Sequence, residues 1–135
     1  MMKFDVPYGI TKRLPGVLLA EARGRVVDAL KAEGFGVLTE IDVQATLRQK
    51  LSVETAPYLI LGACNPSLAH RALSDEPAIG LMLPCNVVIA QDGPDSVVSA
   101  ASPLAMFAIA PGASATLQAV ATDAEQRIRR AIGAI

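Results

Sequence analysis

The sequence predicts an α+β domain. Three observations carry this: short runs with the two-residue alternation of a half-buried strand, two long stretches with apolar residues at helical spacing, and a turn cluster at Gln91–Asp95 that folds two strands into a hairpin. At 135 residues and 14.1 kDa the chain is read as one domain, 1–135, large enough for a single core without disulfide staples. Hydrophobic residues make up 52%, and the mean hydropathy is +0.41. That much apolar side chain predicts a filled interior and leaves surface that self-association would cover, so a homodimer is expected.

Twelve basic and thirteen acidic residues give a net charge of −1, which excludes the electrostatic footprint of a nucleic-acid binder. Arg127, Arg129 and Arg130 sit at the end of a predicted helix, where they offset its dipole. No stretch is long and apolar enough to span a membrane, and the N-terminal MMKFDVPYGITKRLPG lacks a signal peptide's apolar core. The expected residence is the cytoplasm, where the two cysteines stay reduced.

In chain order, Tyr8 to Arg13 reads as an edge strand, weakened by Pro7 and Gly9. A helix follows Pro15-Gly16 and runs to about Glu33, with Leu19, Ala22, Val26 and Leu30 as its stripe. Gly34 stands at its left-handed cap, and Gly24 in mid-helix suggests close packing. Phe35 to Val43 reads as a strand with Val37, Thr39, Ile41 and Val43 on one face and Leu38, Glu40 and Asp42 on the other. A short helix from Ala45 to Leu51 carries Arg48 and Lys50, which are expected to answer those two acids.

Tyr58 to Ala63 is apolar on both faces and hence an interior strand. Asn65-Pro66 is a strong helix start, a side-chain cap followed by proline in the first turn, and Asp75-Glu76-Pro77 ends that helix. Ile79 to Ala90 reads as a strand in which Pro84 removes a ladder donor and makes a bulge or a local edge, and Ser96 to Ala100 as its hairpin partner. Ser102-Pro103 repeats the cap pattern before a helical piece, Leu104 to Ile109, that Pro111-Gly112 breaks. The last helix spans about Ser114 to Ile132, with Leu117, Val120, Ala121, Ala124, Ile128 and Ile132 facing inward.

Three blocks resemble those shared by the domain of unknown function 302 family: GFGVLTEID (Gly34 to Asp42), ILGACNP (Ile60 to Pro66) and GLMLPCNVV (Gly80 to Val88). The resemblance covers most of the chain and implies an antiparallel sheet of about five strands with helices packed on it, similar to half of the TATA-binding protein fold. It implies no activity and carries no functional residues with it.

The candidate chemistry lies in two Cys-Asn pairs, Cys64-Asn65 and Cys85-Asn86. Cys64 precedes a helix start, whose partial positive charge favours a thiolate. Its alternative is a small buried hydrophobe, and for Cys85, which alternates with Leu83 and Val87, that alternative is the stronger. Should their strands be neighbours, the thiols form a redox pair or soft ligands for Cu(I) or zinc. His70, the only histidine, is a surface residue or a base for Cys64. Glu40 and Asp42 are a solvated ion-paired face, an acid and base, or holders of a divalent cation. Asn65 and Asn86 are read first as structural, and Met106 and Phe107 as core. No phosphate loop, zinc-protease or CxxC motif occurs, and no cofactor is named.

The leading expectation is a homodimeric small-ligand or metal-binding, regulatory module whose pocket is lined by Cys64, Asn65, Cys85 and Asn86. The alternatives are a thiol enzyme with Cys64 as nucleophile and His70 or Glu40 as proton-transfer partner, and an interaction module without a pocket.

Overall fold

The structure is a computed structural model that describes residues 2–108 and 112–135. Ile109 and Pro111, at the expected end of the short fourth helix, lie outside the described residues. The elements run β1 (Gly9–Leu14), α1 (Leu19–Ala32), β2 (Gly36–Asp42), α2 (Val43–Leu51), β3 (Tyr58–Cys64), α3 (Pro66–Asp75), a 3₁₀ segment (Pro77–Met82), β4 (Cys85–Asp92), β5 (Asp95–Ala101), α4 (Pro103–Phe107) and α5 (Ala115–Ala134). The five strands form one antiparallel sheet in the order β1-β5-β4-β3-β2. This is the α+β architecture expected, with β1 at an edge and β3 in the interior.

One face of the sheet is closed by α1, α3 and α5. Alternate residues of the strands, Ile10 and Leu14, Leu59 and Leu61, Val87 and Ile89, Val98 and Ala100, merge with Val26, Leu30, Leu117 and Ile128 of the helices into one core. The inward stripe of α5 contains every residue that its sequence period selects, together with Glu125 and Ala131.

Local signals explain the junctions. Helix α1 ends in a Schellman motif: Phe35 N–H donates to Leu30 O, Gly34 N–H donates to Lys31 O, and Gly34 has φ +84°. At its other end no local side chain caps the helix, and Gln91 Oε1 on β4 accepts from Leu19 N instead. Asn65, Ser102 and Ser114 each cap the helix that follows, accepting from Leu68 N, Ala105 N and Leu117 N. Strands β4 and β5 meet in a two-residue turn, Gly93-Pro94, with Gly93 at φ +59°.

Three expectations are corrected. The strand expected from Ile79 begins only at Cys85; Pro77 instead opens a 3₁₀ segment, and the Leu83–Pro84 peptide is cis. The irregularity in pairing falls in β2, between Val37 and Thr39, and not at Pro84. It leaves Leu38 as the extra residue, so Val37 and Thr39 lie on opposite faces: Val37 faces Ala63, while Glu40 pairs with Leu61 on the helix-covered side. Gly24 is exposed, with open space where a Cβ would stand, so close packing does not explain it.

Gly62 is the opposite case. A Cβ there would collide with Thr39 Oγ1 and lie 2.7 Å from Pro84 Cγ. Gly24→Ala should therefore stabilise the fold by about 1 kcal/mol, because alanine restricts the unfolded chain and favours helix. Gly62→Ala should destabilise it by about 1–3 kcal/mol through overpacking. Urea denaturation of both variants checks the pair; opposite signs are expected.

Candidate functional site

Cys64 closes β3 and Cys85 opens β4. Ala63 lies directly opposite Cys85 in the register, so Cys64 stands one residue beyond the partner of Cys85. Both line a cavity of about 40 Å³ between the sheet end and helices α3 and α5, walled by Phe35, Leu68, Phe107 and Val120. The two thiols are free. Burial, joined by a smaller effect of negative charge on Cys64, pushes the Cys85 thiol up to about 11.

Asn65 lines the same cavity, and its amide is engaged on both sides. Its Oδ1 accepts from Leu68 N at 3.2 Å and its Nδ2 donates to Glu33 O at 3.4 Å, tying the start of α3 to the end of α1. Gly34 passes close beneath it: a Cβ there would fall 2.9 Å from Asn65 Nδ2.

Asn86 points the other way. It faces Gly62 in the register, on the second side of the sheet, and is exposed. It borders a depression of about 210 Å³ that shares Leu83, Pro84, Cys85, Pro103 and Phe107 with the thiol cavity. Met82 and Met106 line this depression as well. The outer mouth of the cysteine cavity therefore carries thioether sulfur. Sequence reasoning assigned Met106 to the core; only its position beside Cys85 gives it chemical interest.

The remaining candidates stand elsewhere. His70 is exposed on α3, whose cavity-lining residues are Leu68, Ala69 and Ala72. Glu40 is held by Arg23 of α1, with Nε at 2.6 Å from Oε1, and that hydrogen bond keeps its carboxyl below the ordinary range. Asp42 caps α2, accepting from Ala45 N at 2.9 Å. Arg48 pairs with Glu54 and leaves Glu40 to Arg23, contrary to expectation, because the bulge in β2 turns Glu40 towards α1. Among the described residues the thiol cavity has no histidine, carboxylate or amine on its wall, and no group of three or more potential metal-binding His, Cys, Asp or Glu side chains occurs.

A buried polar cluster escaped the sequence reading. Glu125, 4% exposed, sits on the inward face of α5. Its Oε1 accepts from Ser102 Oγ at 2.6 Å and Leu104 N at 3.3 Å, and its Oε2 accepts from Arg129 Nε at 2.8 Å. The signal was present: Glu125 falls in step with Ala121, Ile128 and Ile132, with Arg129 one turn later. Its partners are all structural, and it pins α4 to α5.

The model of the family "Domain of unknown function DUF302" matches residues 10–135. The chain belongs to the DUF302 family. The crystal structure of an uncharacterised conserved DUF302 protein from Bacillus stearothermophilus superposes on it with a TM-score of 0.85 at 27% identity, covering 95% of this chain and 98% of that one. No curated protein matches. No helix among the described residues is long and apolar enough to cross a membrane. The DUF302 fold thus presents, in this chain, two thiols on one apolar cavity without a base beside them.

The raised thiol has a consequence for stability. Folding favours the protonated form of Cys85, so its contribution is whole below the ordinary pKa of 9.0 and is lost as pH rises towards about 11. Two pH units correspond to about 3 kcal/mol. Urea unfolding of the wild type and Cys85→Ala across that window should show the wild type losing stability more steeply. Parallel curves would contradict a buried neutral thiol.

Proposed function

We propose that this DUF302 chain is a binding module for a soft monovalent cation, Cu(I), held between the thiolates of Cys64 and Cys85. One observation carries the reading: apart from Met1 and Met2, every sulfur-bearing side chain of the protein lines the thiol cavity or the depression outside it. Thiolate and thioether are soft donors that prefer Cu(I) over hard cations. Zinc needs two further ligands of its usual kind, which the described residues do not offer there. A cavity of about 40 Å³ admits an ion and falls far below the 300 Å³ or more typical of pockets for organic ligands, roughly speaking.

Binding exchanges protons for metal. Each thiol loses its S–H proton to solvent as its sulfur donates an electron pair to Cu(I), giving a two-coordinate bis-thiolate of charge −1. The N-terminus of α3, which starts two residues after Cys64, offsets part of that charge. Met82 and Met106 give the ion a thioether-lined approach. A reducing compartment such as the cytoplasm, where both thiols persist, goes with this reading. So does self-association: among the described residues β2 is an edge strand with no partner on its outer side, and Leu38 and Ile41 on it are 67% and 49% exposed.

Anaerobic titration with Cu(I) against a chromophoric chelator tests the site. The expected result is one ion per chain, with affinity rising by about tenfold per pH unit for each proton released. Cys64→Ser and Cys85→Ser should each abolish competition, while Glu125→Gln keeps it. Equal binding by the wild type and the double serine variant would overturn the reading. Rapid alkylation of Cys64 near neutral pH without Cu(I) binding would turn it towards a thiol enzyme. Sedimentation equilibrium tests the self-association, which a strict monomer at all concentrations would remove.

A further inference from the structure

The second face of the sheet carries a separate cleft of about 260 Å³, between the N-terminal segment and strands β3, β4 and β5. The segment is fastened over the sheet at three points. Met2 N donates to Asp92 Oδ2 at 3.0 Å, Thr11 Oγ1 donates to Phe4 O at 3.0 Å, and Ser102 N donates to Tyr8 O at 2.8 Å. Gly9 lets it fold down, since a Cβ there would lie 2.9 Å from Ser99 Oγ and 3.1 Å from Val6 Cγ2. One wall of the cleft is therefore a strap of defined path, and the other is the sheet.

Two features of the lining select a chemistry. Both tyrosines of the chain and one of its three phenylalanines, Tyr8, Tyr58 and Phe4, meet here, in a protein that is only 4% aromatic. Lys3 is the only charged residue on the wall among the described residues. The nearest acids are engaged or turned aside: Asp92 holds Arg13 at 2.9 Å, and Asp5 lines a neighbouring depression. The Lys3 ammonium, the Asn86 amide and the two phenol hydroxyls have no hydrogen-bond partner among the described residues. Apolar walls with a few convergent polar groups are the usual form of a small-molecule site, and aromatic side chains pack best on a flat apolar body.

The geometry points to a binding site for a small aromatic carboxylic acid, its ring between Phe4 and Tyr58, its carboxylate on Lys3, and a hydrogen bond from Asn86. At about 260 Å³ the cleft suits a single substituted ring. The site lies on the face opposite the core and needs neither cysteine, so it stands independently of the Cu(I) reading.

Amide NMR spectra of the metal-free protein titrated with benzoate, and with benzamide as the neutral isostere, test it. Benzoate should shift the amides of Phe4, Tyr58, Asn86 and Val88 in a saturable way, and benzamide should bind about fivefold to tenfold more weakly for loss of the charged contact. Lys3→Ala should reduce benzoate to the level of benzamide, Tyr58→Leu should weaken both, and the Cys64→Ser/Cys85→Ser double variant should leave both unchanged. Lys3 is exposed, so its variant folds. No saturable shifts at these amides, or an undiminished response in Lys3→Ala, would overturn the assignment.

Discussion

The structure depends on one asymmetry: α1, α3 and α5 all pack on the same face of a five-stranded antiparallel sheet. Burial of alternate strand residues against these helices supplies the main apolar stabilisation. It fixes the register, because a slip by one residue would turn Leu59, Leu61, Val87 and Ile89 to the wrong side. It also leaves the second face to be finished by other means. The N-terminal segment covers part of that face, and the rest remains as clefts.

The thiol cavity follows from how the covered face ends. The register brings the last residue of β3 beside the first of β4, so two cysteines that are far apart in the chain become neighbours. Asn65 then turns the chain into α3 while binding the end of α1, which sets the cavity's roof. Apolar walls hold Cys85 protonated at neutral pH. The Cu(I) reading proposes a soft cation as the ligand that displaces that proton, and among the described residues the cavity wall offers Cys64 no proton acceptor.

What the sequence made legible was what neighbouring residues decide. The caps at Asn65, Ser102 and Ser114, the Gly34 termination of α1, the Gly93-Pro94 hairpin and the stripe of α5 all rest on contacts within a few residues. The 3₁₀ segment was misread because a short apolar run carries no period that separates strand from helix. The partner of Glu40 was missed because the β2 bulge reversed its face and brought in Arg23, 17 residues away. Three DUF302 blocks were readable as such, yet the placing of Cys64 and Cys85 on one cavity and of Met82 and Met106 on the adjoining depression was not, since it depends on strand register and the placement of α4 after β5. Glu125 was readable in principle, as an acid in step with an apolar stripe.

The identity of the atoms around a bound metal tests the central claim most directly. X-ray absorption at the copper edge of the Cu(I)-loaded protein should show a first shell of sulfur alone, at distances typical of thiolate coordination. A shell of nitrogen or oxygen would contradict the account and return the two thiols to the packing of the core.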